Sequence, residues 1–273
     1  MSRILPLGET IKLDDNNKFI NPCSIDKIFS PWSEVIDDVI KTYRDNMGDR
    51  LRSVYVRGSI ARGTAVSGVS DVDTFAVISG SRWQHDLSWV NTEQEKLNKK
   101  YPFQTGVEIQ LITEDELAAV SAKDSITFTI KVLSVCVWGD DVSTTIADFE
   151  YGLYLAEDLK TFEPGLQQLT QIIISKGLGE HTHKAVQWIM KSIVRNGFYL
   201  VMEKESVYCR DLYPCYTAFI KHYPEQKEAM TFALEQAIKP DASQDDILDF
   251  LDTFGSWMTK EINNIFFKTE LTN

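Results

Sequence analysis

Patterns typical of β-strands occur only in the first half of this 273-residue sequence. Up to about residue 145, short runs rich in β-branched and aromatic residues alternate with helical patterns. Beyond that point, apolar residues recur at the three- and four-residue spacing of amphipathic helices. The sequence therefore predicts an α/β or α+β domain over residues 1–145 and an all-α helical bundle over residues 146–273.

The individual elements follow from the same periodicities. Strands are predicted at 52–57, 72–78 and 107–112, with helices at 32–47 and 83–98. In the second half, helices are predicted at 152–176, 181–204, 211–222, 225–238 and 243–267. The last has the clearest apolar spacing, and Ser243 supplies an N-terminal cap with Asp245 and Asp246 in the first turn.

The charge of the chain limits its partners. It carries 28 basic and 40 acidic residues, a net charge of −12, and both halves are acidic. A long nucleic acid would be repelled, whereas a small molecule, and a cationic one in particular, suits this field. No stretch resembles a secretory signal or a membrane span, and the four cysteines show no zinc-like spacing, so we expect a cytoplasmic protein. No feature of the sequence specifies an oligomeric state.

One segment, Val54–Ile78, combines features that suit a triphosphate site. The first strand ends in Gly58-Ser59, where a missing Cβ lets backbone N–H groups approach a phosphate and a hydroxyl adds a donor. The next strand opens with Asp71 and Asp73, whose side chains leave the same face of the strand. Two carboxylates aimed together repel one another unless a cation lies between them, and Mg²⁺ is the natural occupant beside phosphate oxygens.

Glu108 is the candidate for a third carboxylate. In the strand 107–112 it shares one face with Gln110, opposite an apolar face. A charged residue in such a strand is costly unless it is paired or bound to metal, although it could also be a polar residue that faces solvent. The rival acids Glu114, Asp115 and Glu116 follow Thr113 and are typical of the capped first turn of a helix.

In this order and spacing, the residues resemble the motif of the polymerase-β-like nucleotidyltransferase superfamily. Gly58-Ser59 is followed by eleven residues, then by Asp71-Val72-Asp73 and a later strand carboxylate. The resemblance covers about residues 30–145 and implies an α+β fold with a mixed-sheet nucleotidyltransferase domain. Together with the helical second half, the plan resembles that of bacterial aminoglycoside adenylyltransferases.

This resemblance implies chemistry and roles. A substrate hydroxyl would attack the α-phosphorus of a nucleoside triphosphate, with ATP as the expected donor, and release pyrophosphate. Asp71 and Asp73 would hold Mg²⁺ or Mn²⁺, and Ser59, beside Gly58, would hold the β- and γ-phosphates. Glu108 would complete the metal shell or act as the general base.

Three further residues are candidates for nucleotide binding, each with a plainer alternative. Arg62 could reach the triphosphate or form a surface salt bridge. Arg210 could clamp phosphate and Tyr213 could stack on a base, or both could belong to a tight turn between helices.

The expected function is therefore Mg²⁺-dependent transfer of a nucleoside monophosphate to a hydroxyl of a small acceptor, such as an aminoglycoside. Two alternatives remain open at this stage. The same site could modify a protein or a tRNA, as in toxin-like relatives, or the chain could be a non-catalytic, nucleotide-binding regulatory protein. A helical domain that binds a partner instead of the acceptor would favour a regulatory role.

Overall fold

The computed structural model describes residues 4–120, 124–205 and 207–267. Contacts within the chain divide it into two units. One spans Leu13 to Glu150, and the other joins the described residues up to Lys12 with those from Tyr151 onward. A domain boundary at residue 145 stays a prediction.

The first unit is α+β. Its helices are α1 (Trp32–Met47), α2 (Gly58–Arg62), α3 (Trp89–Lys100), α4 (Glu114–Ala119) and α5 (Ser125–Val132). Its strands are β1 (Leu51–Arg57), β2 (Val72–Ile78), β3 (Val107–Thr113) and β4 (Ser134–Gly139). They form a mixed sheet in the order β3-β2-β1-β4, in which β1 runs antiparallel to both neighbours and β2 runs parallel to β3.

The two faces of this sheet are covered differently. On one face, alternate residues of the strands pack with α1 into a large apolar cluster that includes Val39, Val54 and Ile109. On the other face, a small cluster of Tyr55, Phe75, Val77 and Ile130 lies under α5. The period-two alternation of each strand produces this division, because neighbouring side chains point to opposite faces. The second face is the one that leaves room for polar side chains.

Three predicted strands and the first helix are confirmed to within one residue. The prediction of a helix from residue 83 is wrong, since α3 begins only at Trp89. Ser81 and Gln84 instead form a capping box around a short 3-10 turn, and the Asp86 carboxylate accepts a hydrogen bond from the Ser88 N–H at 2.9 Å. These side chains satisfy the backbone locally and hold the segment out of a helix.

The fourth strand was not predicted. The apolar run from residue 126 to 138 contains most of α5 and most of β4, so its hydrophobicity alone does not separate helix from strand. Asp124 marks the start of α5, because its carboxylate accepts a hydrogen bond from the Ile126 N–H at 2.8 Å. A capping residue therefore resolves what the apolar run leaves open.

The second unit is helical from Tyr151 onward. Its α-helices are α6 (Phe162–Lys176), α7 (Glu180–Tyr199), α8 (Met202–Glu205), α9 (Leu212–His222), α10 (Lys227–Ile238), α11 (Gln244–Phe250) and α12 (Ser256–Ile262). A 3-10 segment at Leu153–Thr161 precedes α6, and residues 200–201 separate α7 from α8, so two of the predicted long helices are interrupted.

The predicted helix 243–267 is confirmed, with two π-helical segments, Leu251–Gly255 and Asn263–Phe267, inside it. Its apolar stripe is buried at Ile247, Phe254 and Met258. The Ser243 hydroxyl caps it by accepting a hydrogen bond from the Asp246 N–H at 3.2 Å. The described part of the chain contains no helix long and apolar enough to cross a membrane.

Candidate active site

Arg57, Asp73 and Glu108 form one row across β1, β2 and β3. Arg57 is the register partner of Asp73, and Asp73 is the register partner of Glu108. All three side chains therefore leave the face of the sheet that carries α5. Arg57 Nη2 donates to Glu108 Oε2 at 2.8 Å and lies 3.5 Å from Asp73 Oδ1. One guanidinium thus contacts both carboxylates.

The Glu108 carboxylate is held from two sides, and the backbone beside it is held as well. The Gln110 side chain donates to Glu108 Oε1 at 2.6 Å, on the side opposite the Arg57 contact. The Thr74 hydroxyl donates to the Glu108 carbonyl at 2.7 Å, and from the other face of the sheet Tyr43 donates to the Gln110 carbonyl at 3.0 Å. Side chains from β1 and β3 consequently fix the carboxylate of Glu108, and side chains from α1 and β2 fix the backbone of β3 at residues 110 and 108.

The pKa values of Asp73 and Glu108 are shifted in opposite directions. Burial raises the pKa of Asp73 to about 7; Arg57 opposes that rise, while Asp71 and Glu108 add to it. Burial also acts to raise the pKa of Glu108, but the hydrogen bond with Asp73 and the Arg57 guanidinium outweigh it and hold this pKa below its usual value. Without a metal ion, Asp73 is therefore the first of the two carboxylates to take up a proton as the pH falls, while Glu108 stays ionised.

Gly58 is required where β1 turns into α2. Its φ of +76° lies in the left-handed region, and a Cβ at this position would lie 2.7 Å from Asp73 Oδ2. The turn therefore brings backbone directly against the Asp73 carboxylate. The Ser59 carbonyl accepts a hydrogen bond from the Thr64 N–H at 2.9 Å, which closes the short helix that follows.

Asp71 stands one residue before β2 and is exposed. Its alternation with Asp73 gives both side chains the same face, and its charge contributes to the raised pKa of Asp73. Within the described residues no three His, Cys, Asp or Glu side chains form a metal site as they stand. The donor set nevertheless suits Mg²⁺, because hard carboxylate oxygens converge where backbone approaches closely and where their charge exceeds that of the single Arg57.

The other predicted nucleotide-binding residues lie at different places in the chain. Arg62 is the last residue of α2, half-buried, and its charge opposes the burial that raises the pKa of Cys23 to about 11. Arg210 and Tyr213 belong to the helical unit, before and at the start of α9. The Arg210 carbonyl accepts from Arg195 Nε at 3.1 Å, and the Tyr213 ring lies 6.0 Å from that of Tyr216.

The three rival acids have the local role predicted for them. Glu114, Asp115 and Glu116 form the first turn of α4, and Thr113 is its N-terminal cap. The Thr113 hydroxyl accepts from the Glu116 N–H at 3.1 Å, and the Thr113 N–H donates to Glu116 Oε2 at 2.8 Å. This reciprocal pair is a capping box.

Arg57 belongs to this row, although the sequence analysis did not predict it as a site residue. A signal for it exists: a charged residue ends an otherwise buried strand immediately before the Gly-Ser turn. A charge in that position needs a partner of opposite sign, and the acidic start of the next strand supplies one.

Comparison with known proteins agrees with this geometry. The family profile described as Nucleotidyltransferase domain matches residues 36–133, a range that includes β1, β2 and β3 with the charged row. Among solved structures, the spectinomycin adenyltransferase AAD(9) from Enterococcus faecialis, with ATP and spectinomycin, is 11% identical, with a TM-score of 0.53. The match covers 85% of this chain and 99% of that one, and at this identity it shows a shared fold.

Another structural match is the CdnE cyclic dinucleotide synthase of Elizabethkingia meningoseptica, determined with GTP and Apcpp. It is 10% identical, the match covers 83% of this chain and 91% of that one, and the TM-score is 0.27. Comparison with curated proteins gives no match. Residues 36–133 thus match a nucleotidyltransferase domain, and the chain shares the fold of a spectinomycin adenyltransferase.

Proposed function

We propose that this nucleotidyltransferase transfers AMP from ATP to a hydroxyl of a small, cationic acceptor such as an aminoglycoside, with Mg²⁺ and release of pyrophosphate. The observation that carries the proposal is the row of Arg57, Asp73 and Glu108 directly beside the Gly58 turn. A structure of the same fold, determined with ATP and spectinomycin, supports the choice of donor and acceptor class. The net charge of −12 supports a cationic acceptor over a nucleic acid. The four cysteines are unbridged, which suits the reducing cytoplasm that we propose as its location.

Asp71, Asp73 and Glu108 would hold the metal ion through their carboxylate oxygens. When bound, Mg²⁺ would neutralise triphosphate charge and stabilise the attacking and leaving oxygens. The raised pKa of Asp73 supports this assignment, because burial, with Asp71 and Glu108 adding to it, makes the charged form of Asp73 unfavourable and a divalent cation would offset that cost. The Gly58 turn offers backbone N–H groups, and the Ser59 hydroxyl a further donor, for the β- and γ-phosphates.

Glu108 is the group suited to accept the proton of the attacking hydroxyl. Its pKa lies below the usual value, so it is ionised at neutral pH, and its contacts with Gln110 and Arg57 fix its direction. A fixed carboxylate beside the metal-binding aspartate can orient the hydroxyl and take its proton in one position. Arg62, Arg210 and Tyr213 remain candidates for contacts with the nucleotide.

A transfer assay tests this proposal. The purified chain is incubated with Mg²⁺, each of the four nucleoside triphosphates labelled at the α-phosphate, and a panel of acceptors. The panel contains cationic amino sugars and aminocyclitols, neutral sugars of matched hydroxyl count, tRNA and a protein mixture. We expect pyrophosphate release with ATP and label on a cationic acceptor only. Label confined to tRNA or protein, or no pyrophosphate with any combination, would contradict the proposal.

A further inference from the structure

We propose that Arg57 is a resident counter-cation of the carboxylate row and sets the divalent-ion affinity of Asp73 and Glu108. It is a positioning residue: it stabilises the metal-free site and, by the same charge, weakens metal binding there. The inference rests on the proposed metal site but concerns a residue that this site does not itself require.

The placement of Arg57 is specific to the row. It ends β1 as the register partner of Asp73, and one nitrogen, Nη2, serves both Asp73 and Glu108. The three side chains are partly shielded, with exposed fractions of 32% for Arg57, 24% for Asp73 and 42% for Glu108. At these distances and in this shielding, a unit positive charge acts on both carboxylates and on any ion bound between them.

A second observation concerns the inner end of the same guanidinium. Arg57 Nε is buried and, among the described residues, has no hydrogen-bond partner. A buried N–H without a partner is unfavourable, so the side chain is held in place by its contacts with the carboxylates. Arg57 is therefore positioned by the charges of Asp73 and Glu108.

Arg52 provides a comparison on the same strand. Its Nε pairs with Glu114 at 3.0 Å, and the two side chains are 47% and 45% exposed. Exposed pairs of this kind contribute little and are screened by salt. A loss of positive charge at residue 52 is thus the matched control for the same loss at residue 57.

Removing the charge at residue 57 has two opposite consequences. Without metal, Asp73 and Glu108 repel each other more strongly, so the metal-free protein becomes less stable. With metal, the incoming divalent ion no longer meets a fixed positive charge, so it binds more tightly. A residue that merely supported the fold would lower stability without tightening metal binding.

The experiment titrates Mn²⁺ alone, without nucleotide, into the full chain and follows free Mn²⁺ by electron paramagnetic resonance. We expect Arg57→Gln to bind Mn²⁺ at about tenfold lower concentration than the wild type, as befits the loss of a nearby unit charge. Arg57→Lys, which keeps the charge, and Arg52→Gln should both stay within about twofold of the wild type.

Should Arg57→Gln fail to fold, the same comparison is made between Glu108→Gln and the double variant Arg57→Gln/Glu108→Gln, in which one opposing charge is already gone. The double variant should bind Mn²⁺ more tightly than Glu108→Gln. Unchanged or weaker binding on loss of Arg57, in either background, would overturn the inference. A wild-type chain that binds no Mn²⁺ would overturn the inference and the proposed metal site together.

Discussion

The two faces of the central sheet are built from the same strands but serve different ends. On the face toward α1, the large apolar cluster includes Val54 and Ile109, and the hydroxyls of Tyr43 and Thr74 form a hydrogen bond with each other there. On the face toward α5, the apolar cluster is small and gives way at one end to Arg57, Asp73 and Glu108. Of two neighbouring residues on one strand, the one that faces α1 thus packs in the apolar core, whereas the one that faces α5 can belong to the charged row.

The difference shows where this protein tolerates unfavourable electrostatics. Asp73 has a pKa raised to about 7, while the opposite face of the same strands is closely packed and apolar. A packed face can hold the strands in register while the other face holds like charges together. Substitutions on the two faces should therefore have separable effects.

The largest effect is expected at Asp73. Asp73→Asn keeps the size of the side chain but removes a carboxylate from the row, so stabilisation of the developing charge on phosphate is lost. The rate of transfer should fall by several orders of magnitude, measured as pyrophosphate release with the acceptor that the transfer assay identifies. Asp45→Asn, the same change at an exposed ion pair with Lys41 on α1, should leave turnover unchanged. Wild-type turnover in Asp73→Asn would show that this row has no role in catalysis.

Glu108→Gln should have the next largest effect. If Glu108 is the general base, the chemical step should slow by about 10²–10⁴-fold while nucleotide affinity survives. If it is only a metal ligand, raised Mn²⁺ should restore part of the rate. Single-turnover rates at increasing Mn²⁺, with ATP affinity measured alongside, distinguish the two roles. A variant with an unchanged rate would have neither role.

The pH dependence of stability gives a third test. The folded metal-free protein holds the Asp73 proton more tightly than the unfolded chain does, since this pKa is about 7 against an ordinary 3.8. The resulting stabilisation is complete below about pH 4 and is lost as the pH rises toward 7. In EDTA, the free energy of unfolding should fall over this window in the wild type, and Asp73→Asn should lack that contribution to the fall. Parallel curves for the two proteins would contradict the assignment.

The smallest effect is expected from Ile109, the neighbour of Glu108 on the opposite face. Ile109→Val removes one methylene from the apolar cluster and should lower the free energy of unfolding by about 0.5–1.5 kcal/mol. The rate per folded molecule should stay the same, as shown by denaturant titration beside the transfer assay. A large loss of turnover at unchanged stability would mean that the faces are not separable.

Much of the N-terminal unit could be predicted from its local patterns. Runs of β-branched and aromatic residues indicated β1 and β2, and polar–apolar alternation indicated β3. The spacing of Gly58, Asp73 and Glu108 indicated the candidate site. Residues 83–88 could not be assigned from the helical pattern, because the capping box of Ser81 and the turn at Asp86 compete with it. The strand β4 was hidden inside an apolar run that serves a helix as well.

The role of Arg57 could not be predicted from local sequence patterns. Its role depends on the register of β1 with β2 and of β2 with β3, which brings residues 57, 73 and 108 into one row. Sequence periodicity gives the face of each strand but not which residues stand opposite one another. The charge partners within the site therefore became visible only in the structure.

The most direct test of metal–nucleotide binding by the carboxylate row needs no acceptor. ATP is titrated calorimetrically into the wild-type chain in Mg²⁺ and again in EDTA, with Asp73→Asn and Asp45→Asn measured in parallel. We expect measurable binding in Mg²⁺ and none in EDTA for the wild type and for Asp45→Asn, because the bare carboxylates repel a triphosphate. Asp73→Asn should bind ATP much more weakly in Mg²⁺, so that its ATP affinity differs little between Mg²⁺ and EDTA. Equal wild-type affinity for ATP in Mg²⁺ and in EDTA would contradict the claim that this carboxylate row binds a metal–nucleotide complex.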